Sequence, residues 1–344
     1  MDKQLTNALN EAQRPFADTR FNVCRLEVTI EGDDHHLSGP VLDEATLTAV
    51  LDELGRQLPE ARWTTDGVQV LRQSRPRLMA VSTNLTGWQR EQSWLGEQQS
   101  QVLNGTAVEI LEEGERWSFA RLEDGYLGYV YSGYLTGQAA AAEPTHQVSA
   151  PVALLRAAPD EAAPLVTRVF AATRLAVAAR PGGWGEVTLA GGLCGYAPLS
   201  DFRRLELEQS AAERRAQLIN DALAYIGVPY LWGGVSAQGI DCSGFAQLLH
   251  KLAGVTIPRD ADVQFNAGQP MEPPYAAGDL LYFGGSGGHR DVSHVGVSLG
   301  TDYDPAGWRM IHSGRSRNGV YIDDVQGGES LRESFLGGRR FLSD

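Results

Sequence analysis

The sequence predicts a multidomain protein with a small N-terminal α/β piece, two small β-barrels and a C-terminal α+β domain. Three observations lead to this fold class. The length of 344 residues is more than one hydrophobic core usually holds. A glycine-rich block of alternating sequence occurs twice in the middle of the chain. The last part of the chain places helical patterns before a run of short strands, which is typical of an α+β domain.

Residues 1–75 are predicted to form the α/β piece. Apolar and polar residues alternate between Cys24 and Glu31, which indicates a half-buried strand. Apolar residues at helical spacing between Leu47 and Leu58 predict an amphipathic helix, and Pro59 ends it. The two histidines of EGDDHH, residues 31–36, are expected in a solvated turn. Nothing in this piece indicates a chemical role.

The two middle blocks are copies of one β-module. Trp117 and Trp184 lie 67 residues apart, and the dipeptides Gly128–Tyr129 and Gly195–Tyr196 are separated by the same distance. Short strands with glycine-rich turns between them, repeated in this way, predict two small barrels. The predicted barrels are residues 76–138 and 148–203, with a linker at 140–145.

The C-terminal domain, residues 204–344, places a cysteine at the start of a predicted helix. In the segment DCSGFAQLLHKLAG, Asp241 is the expected N-cap and Cys242 follows it. The first N–H groups of a helix have no internal partner, and the helix dipole there favours negative charge. We therefore expect the pKa of the Cys242 thiol to lie below its free value of about 8.5, as a nucleophile requires. Four strands are predicted after the helix, at residues 279–285, 294–300, 308–314 and 319–325.

Two histidines in successive predicted strands are candidates for the base. His294 opens the strand HVGVSLG, and His312 lies in MIHSG, which is expected to pair with it. A base next to the thiol and a second polar group that orients it form a Cys–His arrangement. A zinc site would have only three visible ligands and no supporting CxxC or HExxH spacing, so we predict no metal and no cofactor. Cys24 and Cys194 are expected to be structural, and His289 solvated.

Composition limits the classes of partner. The formal charge of −14 disfavours binding to nucleic acid, to anionic wall polymers and to membrane surfaces. No stretch approaches the roughly 20 apolar residues of a membrane span. The N-terminal segment MDKQLTNALNEAQRPF lacks the features of a secretory leader, and three scattered cysteines cannot form a disulfide framework. We therefore expect a cytoplasmic protein with a soluble substrate; the sequence does not specify its oligomeric state.

Four motifs carry a family resemblance. YLWGG, DCSGF, SHVGV and IHSG occur in this order within residues 210–344 and resemble the signature of the NlpC family. Its members are papain-like cysteine peptidases that cut bacterial cell-wall peptides. The resemblance implies that Cys242 is the nucleophile, His294 the base and His312 the third polar member. It also places Tyr230 beside the oxyanion, although packing in the core is an equal alternative for this tyrosine.

The middle modules resemble bacterial SH3-like domains, and the combination resembles γ-D-glutamyl-L-diamino-acid endopeptidases of peptidoglycan recycling. This resemblance implies a murein peptide with a free N-terminal L-Ala as substrate. Asp241 would bind its ammonium group unless it only caps the helix, and Ser243 would contact its backbone. Glu97, with Tyr126 or Tyr131, would close one end of the groove; a surface glutamate and a core tyrosine are the alternatives.

One residue departs from the family pattern. In TIPRDADVQ, Ala261 stands where relatives often have a serine, so a hydroxyl contact to the substrate would be lost. The sequence does not decide between lysine and diaminopimelate in the substrate. Other functions stay open: an extracellular wall hydrolase that uses the modules as wall anchors, a non-catalytic binding protein, and a transferase or amidase that acts through the same thiol.

Overall fold

Residues 3–137, 142–206, 209–285 and 291–342 are described in the computed structural model of the chain. Part of the predicted linker 140–145, and His289, lie outside the described residues. The chain divides into two compact units, one of residues 1–79 and 107–133, the other of residues 80–106 and 134–344. This division does not follow the predicted domain boundaries, which stay predictions.

The N-terminal piece contains two helices and a three-stranded sheet. Its elements are α1 (Lys3–Gln13), β1 (Glu27–Glu31), β2 (Asp34–Val41), α2 (Glu44–Gln57) and β3 (Arg62–Val70). Strand β2 pairs antiparallel with β1 and parallel with β3. The side chain of Asp43 caps α2 by accepting a hydrogen bond from the N–H of Thr46 at 2.9 Å. Apolar side chains from both helices and from the sheet form one buried cluster.

Two details of this piece differ from the sequence prediction. His35 and His36 lie in β2 rather than in a solvated turn. The reason is Gly32, whose φ of +64° permits a tight turn, so that the strand resumes at Asp34. Cys24 lies before β1 and forms an isolated bridge with Val41.

The described residues in the middle of the chain form fifteen strands. The first seven are β4 (Arg77–Val81), β5 (Leu85–Gln89), β6 (Gln98–Leu103), β7 (Ala107–Glu112), β8 (Trp117–Arg121), β9 (Leu127–Tyr131) and β10 (Leu135–Thr136). The next eight are β11 (His146–Val148), β12 (Val152–Arg156), β13 (Leu165–Phe170), β14 (Arg174–Leu175), β15 (Val177–Arg180), β16 (Trp184–Thr188), β17 (Cys194–Pro198) and β18 (Phe202–Arg204).

The sequence repeat reappears in the strand register. In the antiparallel pair β8–β9, Trp117 lies opposite Tyr131; in the pair β16–β17, Trp184 lies opposite Pro198. Both partners in the second pair stand 67 positions after those in the first. Each hairpin also ends in a 3₁₀ turn, at Ser132–Tyr134 and at Leu199–Asp201. The two hairpins are therefore built in the same way.

The C-terminal part places helices before an antiparallel sheet, as the sequence predicts. Its elements are α3 (Ala211–Leu223), β19 (Val235–Ser236), β20 (Gly239–Ile240), α4 (Cys242–Leu252), α5 (Ala261–Ala267), β21 (Gln269–Met271), β22 (Leu280–Phe283), β23 (His294–Ser298), β24 (Arg309–Gly314), β25 (Gly319–Asp324), α6 (Glu329–Ser334) and β26 (Phe335–Arg340). Six strands form one sheet in the order β21-β26-β22-β23-β24-β25. Helix α4 packs on β23 and β24, and Phe245 and Leu249 of α4 lie in the largest apolar cluster with Val295 and Ile311 of the sheet. The start of α4 therefore faces the strands that carry both candidate histidines.

Among the described residues, no helix is long and apolar enough to cross a lipid bilayer.

Candidate active site

Cys242 is the first residue of α4, and its neighbours fix the start of that helix. The carboxylate of Asp241 accepts a hydrogen bond from the N–H of Gly244 at 2.6 Å, as an N-cap does. Gly244 must lack a side chain, because a Cβ there would lie 2.3 Å from the carbonyl oxygen of Gly234. The motif DCSG thus supplies a cap, a thiol at the first turn and a close backbone contact that holds the turn in place.

The Cys242 thiol lies against the beginning of β23. Its side chain is buried and lies in the same apolar cluster as Val295, the residue after His294. Burial raises the pKa of this thiol to about 12, and the neighbouring Asp241 carboxylate acts in the same direction. The N–H groups of Val295 and Ser243 and the charge of Arg259 act oppositely but are weaker. The expected lowering of the pKa is therefore wrong for this structure, because exclusion of water outweighs the stabilisation that the helix start provides.

His294 and His312 form a hydrogen-bonded pair on adjacent strands. Nε2 of His294 lies 2.7 Å from Nδ1 of His312, and the two rings meet edge to face. Burial lowers the pKa of His294 to about 4 and that of His312 to about 2, so both rings are neutral near pH 7. If Nε2 of His294 carries the ring proton, it donates a hydrogen bond to Nδ1 of His312. Nδ1 of His294 then has a free lone pair. This tautomer suits a base that His312 orients.

The outer nitrogen of His312 has a charged neighbour. Nε2 of His312 is buried, and among the described residues it has no hydrogen-bond partner. The carboxylate of Asp323 lies 3.8 Å from it, and the Tyr321 ring packs edge to face on the imidazole. Packing and a nearby carboxylate therefore hold His312 on the side away from His294.

Tyr230 belongs to a loop that the backbone fixes at two points. Pro229 bridges Gly319, and Tyr230 bridges Ile240 just before the cysteine helix. Burial raises the pKa of Tyr230 to about 12, and the nearby Cys242 contributes in the same direction. The bridge to Ile240 brings Tyr230 beside the segment that leads into Cys242, so its hydroxyl group stays a candidate oxyanion donor. The Arg315 guanidinium group lies over the Tyr230 ring, with its Cζ 5.4 Å from the ring centre.

Asp241 has a partner that the sequence analysis missed. Arg259 donates to both carboxylate oxygens of Asp241, at 3.0 and 2.6 Å, and the N–H of Gly233 donates to one of them at 2.8 Å. Arg259 also donates to the Ser243 hydroxyl at 2.9 Å and to the Ser100 hydroxyl at 2.9 Å. Asp241 is 4% exposed, and these donors together with the capping N–H fill its acceptor positions. The geometry thus favours the structural alternative for Asp241 and shows the Ser243 hydroxyl already bonded to Arg259.

Glu97 lies beside the YLWGG loop. Nε1 of Trp232 donates to Glu97 at 3.0 Å, and the side chain of Gln98 donates to the Trp232 carbonyl oxygen at 3.1 Å. Gly233 has a φ of +74°, and a Cβ there would lie 2.4 Å from the Gln98 carbonyl oxygen, so the motif requires glycine at this contact. The Glu97 side chain stays 39% exposed and also accepts a hydrogen bond from Arg90 at 3.0 Å.

The remaining predicted residues are two tyrosines and Ala261. Tyr126 is 1% exposed and packs on Phe21, so its ring offers no surface to a substrate, and its role is in the core. Tyr131 is half-buried against Trp117, and its part in substrate binding stays a prediction. Ala261 is buried at the start of α5.

The two other cysteines differ in their exposure. Cys24 is half-buried, and burial raises the pKa of its thiol to about 11. Cys194 is exposed and contacts the Thr188 hydroxyl. Within the described parts of the chain, no group of three or more His, Cys, Asp or Glu residues is arranged to hold a metal ion.

Comparison with known families agrees with this geometry. The NlpC/P60 family matches residues 227–339, a span that includes Cys242, His294 and His312. The chain therefore carries an NlpC/P60 cysteine peptidase domain. The family described as bacterial dipeptidyl-peptidase Sh3 domain matches residues 95–135, which begin just before Glu97. The resemblance of the four motifs to NlpC peptidases, and of the preceding segment to an SH3-like domain, is thus confirmed.

Several proteins are similar to the NlpC/P60 domain and its neighbours. A protein of Bacillus cereus named gamma-D-glutamyl-L-lysine dipeptidyl-peptidase is 29% identical over 73% of this chain and 78% of that protein. A protein of the same name from Bacillus subtilis is 37% identical, over 36% of this chain and 39% of that protein. The crystal structure of an NlpC/P60 family protein from B. cereus covers 78% of this chain and 100% of that one, with a TM-score of 0.65 and 24% identity. This last likeness shows the fold.

Proposed function

We propose that the protein is a cysteine endopeptidase that hydrolyses the γ-D-Glu–diamino acid bond of murein peptides with a free N-terminal L-Ala. The contact between Glu97 and Trp232 carries this proposal. A partly exposed carboxylate of the Sh3 segment thereby lies beside the loop whose Tyr230 bridges Ile240, two residues before Cys242. An ammonium group needs a carboxylate partner when it leaves water. The shared name of the two Bacillus relatives supports the bond that is cut.

The reaction begins with a neutral Cys242 thiol and a neutral His294 imidazole. Nδ1 of His294 takes the proton of the Cys242 thiol as the sulfur attacks the γ-carbonyl carbon of D-Glu. The backbone N–H of Cys242 and the hydroxyl of Tyr230 stabilise the oxyanion of the tetrahedral intermediate. His294 then protonates the departing amine of the diamino acid and activates a water molecule that releases the acyl group. His312 keeps His294 in the tautomer that accepts the thiol proton.

Substrate selection is assigned to Glu97 rather than to Asp241. The Asp241 carboxylate is buried and already neutralised by Arg259. Glu97 keeps a large exposed fraction, and its partner Arg90 is itself well exposed. An exposed ion pair is weak and can be exchanged for a substrate ammonium.

The finer domain organisation is part of the same proposal. We propose two SH3-like modules, at residues 76–138 and 148–203, because their hairpins share one register, and an N-terminal α/β domain at 1–75. We also propose that the protein acts in the cytoplasm, in peptidoglycan recycling. A net charge of −14 supports a soluble peptide fragment rather than an anionic wall polymer as substrate.

One observation favours a second candidate, a non-catalytic protein that binds the same peptides. The Cys242 thiol is buried, and its pKa is raised to about 12. A site in which His294 did not take up the proton of this thiol would bind a peptide without cutting it.

Mass spectrometry of synthetic peptides tests both candidates. L-Ala-γ-D-Glu-L-Lys, its diaminopimelate counterpart and the N-acetylated form of each are incubated with the wild type, with Cys242→Ser and with Cys194→Ser. We expect the wild type and Cys194→Ser to release L-Ala-γ-D-Glu from the free-amine peptides. Cys242→Ser should lower kcat/KM by roughly 10³-fold or more, since it removes the nucleophile. Binding of these peptides by the wild type without cleavage would support the binding protein.

A second pair of variants tests the ammonium contact. Glu97→Gln should lower kcat/KM on the free-amine peptide by roughly 10- to 100-fold, as loss of a charged hydrogen bond does, and should change the N-acetylated peptide little. Glu91→Gln changes an exposed carboxylate of the same loop and serves as the matched control. Equal losses on both peptides would contradict the assignment of Glu97.

A further inference from the structure

We propose that Arg315 binds the α-carboxylate of the D-glutamyl residue of the substrate. This inference rests on the proposed function, because it concerns the same peptide at the same site. Arg315 lies in the loop between β24 and β25, three positions after His312. It was not among the residues singled out by the sequence motifs, which end at IHSG.

Two aromatic rings flank the Arg315 guanidinium group. Its Cζ lies 5.4 Å from the centre of the Tyr230 ring and 5.3 Å from the centre of the Trp232 ring. A guanidinium group that is stacked in this way keeps donors free for a carboxylate, and less side-chain entropy is lost when it binds.

Arg315 stays exposed and lacks an ion pair. Within the described residues, no carboxylate oxygen lies within 4 Å of its guanidinium nitrogens, whereas the neighbouring arginines each have one. Arg259 pairs with the buried Asp241, Arg90 with Glu97, and Arg317 lies 3.9 Å from Asp323. In a chain of charge −14, an exposed cation that packs on Tyr230 and has no carboxylate partner favours an anionic ligand.

The charges around Trp232 match those of the acyl half of the substrate. Nε1 of the indole donates to Glu97, and the face of its ring contacts Arg315, so one side chain holds a carboxylate and a guanidinium group. In a γ-linked peptide the α-carboxylate of D-Glu stays free, a short carbon chain from the carbonyl that is attacked. The ammonium of L-Ala belongs to the same acyl half. A carboxylate and a guanidinium group on one indole therefore complement this ammonium and this carboxylate together.

Peptides with one carboxylate replaced by an amide test the inference. The substrates are L-Ala-γ-D-Glu-L-Lys, the same peptide with the D-Glu α-carboxylate amidated, and the same peptide with the C-terminal carboxylate amidated. Each is assayed with the wild type, Arg315→Gln, Arg315→Lys and Arg309→Gln, an exposed arginine at the far end of β24. We expect Arg315→Gln to lower kcat/KM by about 10- to 100-fold on the unmodified peptide and on the C-terminal amide. On the D-Glu amide it should change kcat/KM by about twofold at most, and Arg309→Gln should match the wild type throughout.

Other outcomes would overturn the inference. An equal loss on all three peptides would mean that Arg315 acts only through Tyr230 and Trp232. A loss that disappears on the C-terminal amide would assign Arg315 to the diamino acid instead. Cleavage that does not depend on Arg315 removes this inference and leaves the proposed function intact, whereas failure of the wild type to cut any of the three peptides removes the proposed function itself. Activity of Arg315→Gln on the D-Glu amide shows that the variant is folded, and Arg315→Lys should keep an intermediate preference because it retains the charge without the planar fork.

Discussion

The Cys242 thiol experiences two opposing influences. The start of α4 and the N–H groups of Ser243 and Val295 favour a thiolate, while exclusion of water favours the neutral thiol. Burial is the larger effect, and it acts on His294 as well, whose pKa falls to about 4. Between these two values both groups are neutral, so the structure supports a thiol and an imidazole that exchange a proton during attack rather than a preformed ion pair.

Alkylation of Cys242 by iodoacetamide should therefore depend steeply on pH. Only the thiolate reacts, and below the pKa its fraction rises tenfold for each pH unit. In the Cys24→Ser/Cys194→Ser double variant, mass spectrometry should show a labelling rate that increases about tenfold per unit from pH 6 to pH 9. In the wild type, the exposed Cys194 should be labelled faster than Cys242 at pH 7. A rate that is constant between pH 5 and pH 8 would instead demonstrate the ion pair.

At the scale of elements, the start of α4 depends on a buried ion pair. Asp241 caps the helix, receives the N–H of Gly233 from the YLWGG loop and pairs with Arg259, whose side chain is 3% exposed. Arg259 in turn donates to Ser100 in β6. The Asp241 carboxylate thus contacts α4, the YLWGG loop and, through Arg259, the segment that follows α4. Arg259 also connects this group to β6. Removal of one partner would leave an unpaired buried charge, which costs more than the pair itself contributes.

Arg259→Met should therefore destabilise the protein by about 3 to 5 kcal/mol. Urea unfolding of this variant is compared with Asp241→Asn/Arg259→Met, in which the stranded charge is absent and part of the loss should be recovered. Arg309→Met, which changes an exposed arginine, should stay within about 0.5 kcal/mol of the wild type. If Arg259→Met and the double variant unfold at the same urea concentration, the buried charge is not the cause of the loss.

Sequence periodicity predicts the elements of the C-terminal part well. Helix α4 and strands β22 to β25 lie where their apolar patterns place them, because each pattern spans only a few neighbouring residues. The repeat likewise survives in the register of two hairpins. The prediction for His35 and His36 was wrong because their polar neighbours indicate a long turn. The positive φ of Gly32 makes the turn short, so both histidines belong to β2.

The contacts that define the site are less visible in the sequence. Asp241 and Arg259 lie 18 positions apart, and Glu97 and Trp232 lie 135 apart, so neither contact has a periodic signal. The pKa of Cys242 depends on how much water reaches the sulfur, which is decided by packing against β23 and not by position in the helix. The motifs predict Cys242, His294 and His312 from the sequence alone. The partners of Asp241 and Glu97 become visible only in the folded structure.

At the scale of the whole molecule, charge separates the two catalytic alternatives. Both use the same thiol, but a wall hydrolase must bind an insoluble polymer, whereas a recycling enzyme acts on released peptides. The chain has 43 acidic and 29 basic residues, a net charge of −14. Such a charge repels anionic polymers, and the repulsion extends over roughly 10 Å at 0.1 M salt. Substrate peptides then need local cations, and Arg315, which packs on Tyr230 and Trp232, is one of them.

Cosedimentation with purified sacculi tests this reasoning on the full chain. We expect less than a tenth of the protein to sediment at low ionic strength, because net repulsion opposes adsorption. Added salt screens that repulsion, so at 0.5 M salt the fraction should rise only slightly, there being no charge attraction to replace it. A wild type that sediments with sacculi at every salt concentration would show that binding does not depend on charge, as wall-anchoring modules require. Release of soluble fragments from those sacculi by the wild type and not by Cys242→Ser would then make the extracellular hydrolase the better description, even if free L-Ala peptides were also cut.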